Sequence, residues 1–266
     1  MHAISLTPLD LAISASLVLV DAVISIVLRL KLQRQLVIAA FRMVIQLVMI
    51  GFVLRFVFAL NNPAATLIII TLMILIAGRE VAARPEKRFH GLATQAIGAS
   101  SVAFATLLTA GLALTTAIRP TPWFDPHYAV PLTGIILGNV LNASSLSLDS
   151  LLSQVGKDKA AIEARLALGE TYWTAMAPLI RASVRRGLLP IVNQMSAAGL
   201  VTLPGIMTGQ ILAGLDPMEA VKYQILLMFL LSGGAGLSAV AVAYLASLRL
   251  TDHRQRLRLD RLTASK

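Results

Sequence analysis

Cysteine is absent from all 266 residues, and only 14 % of them are charged. The first absence excludes disulfides, thiolate metal sites and thiol redox chemistry, so any metal must be held by oxygen, imidazole or thioether. The second excludes an ordinary soluble domain, in which about a quarter of residues are charged. Histidine is also scarce: His2 and His253 lie near the termini, His90 in a basic loop and His127 at the opposite face, with no pair at ligand spacing. No glycine-rich loop ends in Lys-Ser or Lys-Thr, since Gly156-Lys157 is followed by Asp158. Neither a His-Glu-x-x-His nor an exposed Gly-x-Ser-x-Gly pattern is found, so the sequence offers no catalytic residue and reads as no enzyme. It implies no cofactor bound by this chain.

What the chain does have is apolar length. With 57 % hydrophobic residues and a mean hydropathy of +0.78, it reads as an all-α polytopic transmembrane bundle. Crossing ~30 Å of hydrocarbon takes ~20 helical residues, and about seven stretches qualify, near 9–28, 36–60, 64–83, 93–118, 128–152, 187–213 and 221–248. The first is expected to remain as a span rather than be cleaved as a leader, because no basic residue precedes it and Asp10 opens it. The sequence thus divides into a transmembrane body, 1–248, and a basic tail, 249–266.

The net charge of +10 would suggest nucleic acid were the charges not sorted by side. Arg29, Lys31 and Arg34 follow the first span, and Arg79, Arg84, Lys87 and Arg88 follow the third. Six more basic residues lie in a long charged insert, 157–190, and six in the tail; Arg55, Arg119 and Lys222 fall on the other side. The positive-inside bias then predicts an external amino terminus, with insert and carboxyl terminus in the cytoplasm. On this reading the tail meets lipid headgroups and no nucleic acid is bound.

Inside the membrane, Asp21 and Arg42 come at matching depth on adjacent antiparallel spans, each roughly 10 Å in at ~1.5 Å per residue. An unpaired charge near mid-bilayer costs about 2.5–3.5 kcal/mol, so an Asp21–Arg42 ion pair is predicted. Gln46 lies one turn from Arg42 on a polar stripe. In the fifth span Gly134, Gly138, Asn142, Ser145 and Asp149 form a second stripe, with Asn139 beside it; helix packing and a transport route both fit. Pro204-Gly205 and Gly209 interrupt the sixth span, which is either a packing kink or a cavity lined by Met207, Thr208 and Gln210 with carbonyls freed around Thr202 and Leu203. Ser232, Gly233, Gly234 and Gly236 read as a close-packing surface and a candidate dimer seam.

In the insert, a helix through Ile162–Leu168 meets Gly169, where a left-handed terminus favours glycine, and Thr171 can cap a second helix through Tyr172, Trp173 and Met176. The residues alone allow two readings: an elbow that transmits a push, or an interfacial helix with its aromatics at headgroup level. The run Glu163-Ala164, then Gly169, then Leu189-Pro190 resembles the EAA-type coupling motif of ABC transporter permeases, with the Leu-Pro pair displaced toward the carboxyl end. Gly199-Leu200-Val201, Leu203 to Gly209, Gly214-Leu215-Asp216-Pro217 and Tyr223-Gln224 resemble the signature of the FetB-type family of iron-export ABC permeases, which has plant relatives linked to aluminium tolerance. Arg42 with Gln46-Leu47, and Gly138-Asn139, extend the similarity to roughly residues 36–248. Two positions depart from it: Glu170 stands for a small residue and Tyr172 for a common proline.

The resemblance implies that Glu163, Ala164, Leu168 and Gly169 enter a groove on a cytoplasmic ATPase subunit, with Arg165 and Thr171 in the same coupling segment. It further implies a homodimer in the bacterial inner membrane, export driven by ATP that the partner hydrolyses, and a route past Arg42, Gln46, Asn139, Asn142, Met207, Thr208 and Gln210. No metal ligand is identified. The competing readings are a proton- or ion-coupled secondary transporter, with Asp149 the main candidate carboxylate beyond Asp21, and an ABC permease for a nucleotide-sugar.

Overall fold

Thr7, Asn62, Asp125 and Asp216 each stand at a helix N-cap, accept a backbone N–H of the first turn, and precede a proline. The side-chain oxygen satisfies a donor that the helix start leaves orphaned, and proline is tolerated there because it has no N–H to orphan. From these starts run α1 (Pro8–Val27), α3 (Pro63–Ala83), α5 (Pro126–Lys157) and, later, α9 (Pro217–Arg249). Helices α2 (Gln33–Leu60) and α4 (Ala93–Leu112, prolonged by a π-helical segment Ala113–Ile118) run between them. The computed structural model describes residues 7–60 and 62–264.

By length and composition, α1 to α5 and α9 can each cross a membrane. The span expected at 187–213 is not one helix. Its first half is the end of α7 (Tyr172–Ala197), its second half is α8 (Gly205–Leu212), and residues 198–204 between them are irregular. Gly199, at φ +84, turns the chain there, and its N–H donates to the Thr202 carbonyl at 2.9 Å. The expected break at Gly209 is absent, since that residue lies inside α8.

Helices α3, α4, α5, α7 and α9 form the core. Small residues let their backbones approach, which is how helices gain van der Waals contact where lipid is as apolar as leucine. A Cβ on Gly78 would lie 2.5 Å from Ala99 Cα, and one on Gly187 would lie 2.7 Å from the Ala143 carbonyl oxygen. The expected small-residue surface of α9 is split: Gly234 faces Val140 and Thr109 within the bundle, whereas Gly233 meets open space. Ser147 and Ser238 tie α5 to α9 by donating to the carbonyls of Ala239 and Val140. In contrast, α1 packs chiefly on α2, and of this pair only Ala22, Ser25 and Val57 are buried.

At the charged end of the bundle the tail folds back instead of trailing. Strand β1 (Lys87–Phe89), between α3 and α4, pairs antiparallel with β2 (Leu262–Ala264). Phe89 beneath them is buried, and Arg261 donates to the carbonyls of Arg249 and Thr251.

Candidate coupling elbow and membrane route

Helix α6 (Lys159–Ala167) and α7 meet at an elbow whose geometry follows from four residues. Gly169 adopts φ +95, a conformation that side chains with a Cβ rarely take, and donates its N–H to the Leu166 carbonyl. Thr171 caps α7 by accepting the Thr174 N–H. Arg165 grips Glu170 with two nitrogens, Nε to Oε1 at 3.1 Å and Nη2 to Oε2 at 2.8 Å, and donates to the Ala175 carbonyl. The Glu170 departure from the family pattern therefore has its partner in the same chain, and Arg165 is directed into the elbow rather than away from it.

What faces outward is mostly the remainder of the expected coupling segment. Glu163, Ala164, Leu168 and Gly169 are exposed, and Leu168 is 85 % exposed at the tip while Ile162 on the opposite side is buried. Tyr172 is buried in the protein rather than presented on its surface. It is 1 % exposed, its hydroxyl donates to the Ser247 carbonyl at 2.7 Å, and burial pushes its phenol pKa upward. Trp173 stacks on Tyr244. The second helix of the elbow is not short: α7 continues through Pro178 and Pro190 into the bundle, so the elbow and the first half of the expected sixth span share one helix.

The Asp21–Arg42 pair is not formed. Helix α2 starts at Gln33, three residues before the expected boundary, which moves Arg42 ~4 Å further from the turn and ends the match in depth. Arg42 instead approaches Glu80 of α3 at 3.8 Å, with the arginine side chain 61 % exposed. One turn on, Arg84 donates to Asn142 of α5 at 2.9 Å. Arg42, Glu80, Arg84 and Asn142 thus form a polar ladder across three helices, with Gln46 above and exposed Gly138 a turn from Asn142. Asn139 is half-buried beside it. Arg84 reads in the sequence as one of the basic loop charges and Glu80 draws no notice there; their four-residue spacing at the end of a span is the signal that finds them. Asp149 accepts the Glu86 N–H and so pins the α3–α4 connection to α5.

A second feature surrounds the break after α7. A cavity of about 560 Å³ is lined by Met195, Gly199, Leu203, Met207, Gln224 and Met228, among others. Gln224, which sequence reasoning quoted only as part of a signature, is 6 % exposed with its Oε1 lacking a hydrogen-bond partner. Met207 lines this space as expected. Thr208 turns its hydroxyl to the Pro204 carbonyl, and the buried Gln210 Oε1 has no partner. The Thr202 carbonyl is taken by Gly199 and is not free. Among the described residues no three His, Asp or Glu side chains gather in a way that could hold a metal; His2 lies outside them.

Six helices long and apolar enough to cross a membrane, with the interrupted sixth segment between α5 and α9, define an all-α polytopic membrane protein. Residues 8–250 match the UPF0014 family, described as an uncharacterised protein family, and the chain belongs to it. It is 42 % identical to a UPF0014 membrane protein of Synechocystis over 80 % of this chain and 82 % of the relative. Identity is 34 % to the probable iron export permease protein FetB of Escherichia coli, covering 98 % of this chain and 99 % of that one. The rice UPF0014 membrane protein STAR2 is also 34 % identical, over 88 % of this chain and 80 % of its own. No solved structure matches significantly.

Proposed function

We propose that this chain is the membrane-spanning subunit of an ABC exporter for iron or another metal ion, assembled as a homodimer with two separate ATPase subunits at its cytoplasmic face in the bacterial inner membrane. The observation that carries the reading is Leu168, an apolar side chain 85 % exposed at the tip of an elbow that is otherwise rigidly braced. A leucine so placed on a polar end of the molecule is a knob without a hole, and its brace of Arg165, Glu170 and the α7 cap gives a partner something stiff to push. Because α7 is one continuous helix from the elbow to the cavity at its far end, it gives a displacement of Leu168 a path to residues 198–204. Metal export rests on the name of the Escherichia coli relative, which aligns over nearly the whole chain.

Asp149 weighs against proton-coupled transport, since its carboxylate accepts a backbone N–H and serves as a loop anchor. The test is reconstitution with the ATPase. Leu168→Asp should insert normally and lose association by about 2 kcal/mol, roughly 30-fold, the size of an interface hot spot. Undiminished ATPase binding by that variant, or transport by the isolated chain, would refute the coupling role; unchanged cellular iron on deletion would refute the cargo.

A further inference from the structure

The elbow has a second wall. Residues 252–256 form a tight turn organised by Asp252, whose Oδ1 accepts the N–H groups of Arg254 at 2.9 Å and Arg256 at 3.0 Å, while Oδ2 takes the Arg256 guanidinium. At its apex Gln255, in the left-handed region at φ +56, accepts the Tyr172 N–H at 2.9 Å. Tyr172 is the first residue of α7, so the tail fills a donor that the helix start would leave orphaned. The turn is thereby fastened to the elbow. Between them runs a cleft of about 600 Å³, with Leu166, Gly169 and Glu170 on the elbow side and His253, Arg254 and Arg256 on the tail side. The three basic residues are exposed, the Arg254 side chain makes no ion pair with the described residues, and Leu168 follows directly on the elbow wall.

We infer that the 252–256 turn and the elbow are one composite docking surface for the ATPase subunit, the turn recognising an acidic patch beside the groove that receives Leu168. This rests on the coupling reading above and extends it to a part of the chain outside the coupling motif. The charge alone suits an acidic protein patch or anionic headgroups equally, and reach selects the protein. Helices α5 and α9, of 32 and 33 residues, carry the elbow and the tail at their ends. Each is about 48 Å long, whereas hydrocarbon takes ~30 Å and the whole bilayer ~40–45 Å. Rim charges of this kind act mainly on association rate and its salt dependence.

The experiment uses the full-length tagged chain co-expressed with the ABC ATPase of its own cell, that subunit being identified by its sequence and its ATP hydrolysis. Arg254→Glu and the His253→Glu/Arg254→Glu double variant leave the Asp252 anchor and the Gln255 contact intact. They should slow association about tenfold at low salt, flatten its salt dependence, and leave membrane insertion and melting unchanged. Gln255→Leu, which releases the turn without changing charge, should weaken binding at all salt concentrations. Equal association by all variants would overturn the composite surface while leaving the coupling reading standing. So would a change confined to co-purified anionic phospholipid, which would make the rim a lipid contact. Absence of ATPase binding by the unaltered chain would overturn both.

Discussion

At the scale of single residues, the charged end is held by a few carboxylates whose pKa values record what they do. Backbone N–H donation from Arg256, with further donation from Arg254 and the Arg256 guanidinium, lowers Asp252 from its ordinary 3.8 to about 2. The Arg258 side chain lowers Asp260 to about 2 in the same way. A carboxylate whose folded pKa is depressed stabilises the fold above its unfolded value, and that contribution disappears as pH falls through the folded value. The 252–256 turn should therefore be intact at pH 5 and above and loosen between about pH 4 and 2. Hydrogen exchange of the Arg254 and Arg256 amides, corrected for intrinsic rate, checks this. Asp252→Asn should raise their exchange at pH 7 by several-fold, and unchanged protection would mean that the turn is held by other contacts.

At the scale of elements, the α3–α4 contact makes the sharpest demand on sequence. The nearest atom to a Cβ on Gly78 is backbone, so nothing flexible can yield. Gly78→Val should destabilise by about 1–3 kcal/mol, the range for overpacking, and lower the melting temperature in detergent. Gly233→Ala, with nothing within 4 Å, should be neutral or slightly stabilising. Equal melting of the two variants would show that α3 and α4 separate freely. The element scale is also where the sequence was most and least legible. Apolar length located α1 to α5 and α9, and the caps before Pro8, Pro63, Pro126 and Pro217 could have fixed four starts to the residue. The elbow was legible too, because Gly169 and Thr171 act locally. The break at residues 198–204 was misplaced because Gly199 does the turning, and a glycine in an apolar run carries no sign of its φ. The folded tail was missed because β1 and β2 pair across most of the chain, and three-residue strands leave no periodicity to read.

At the scale of the molecule, the polar ladder poses a problem that one copy does not solve. Arg42 is 61 % exposed and Glu80 36 % exposed, on helices otherwise clad in apolar side chains such as Phe41, Phe56 and Ile68. Facing lipid, such charges would cost a few kcal/mol, so this side must meet either water or protein. Helix α1 packs chiefly on α2 and leaves this side uncovered, with the Arg42 side chain 61 % exposed. The homodimer proposed above predicts that the α2–α3–α5 face meets the second copy, with the ladder beside the route between them. The absence of cysteine makes the test direct. Gly138→Cys introduces a single thiol on the exposed side of α5 beside Asn142, and Ile68→Cys, 68 % exposed, introduces one on an apolar side of α3. A short bismaleimide added to native membranes should link Gly138→Cys chains into a dimer and leave Ile68→Cys chains single. Reversed reactivity would put the seam on the apolar face of α3 and make the ladder a water-filled path within one chain. In that case Arg42→Gln should reduce transport without affecting dimer formation, whereas at a seam the same change should weaken both together.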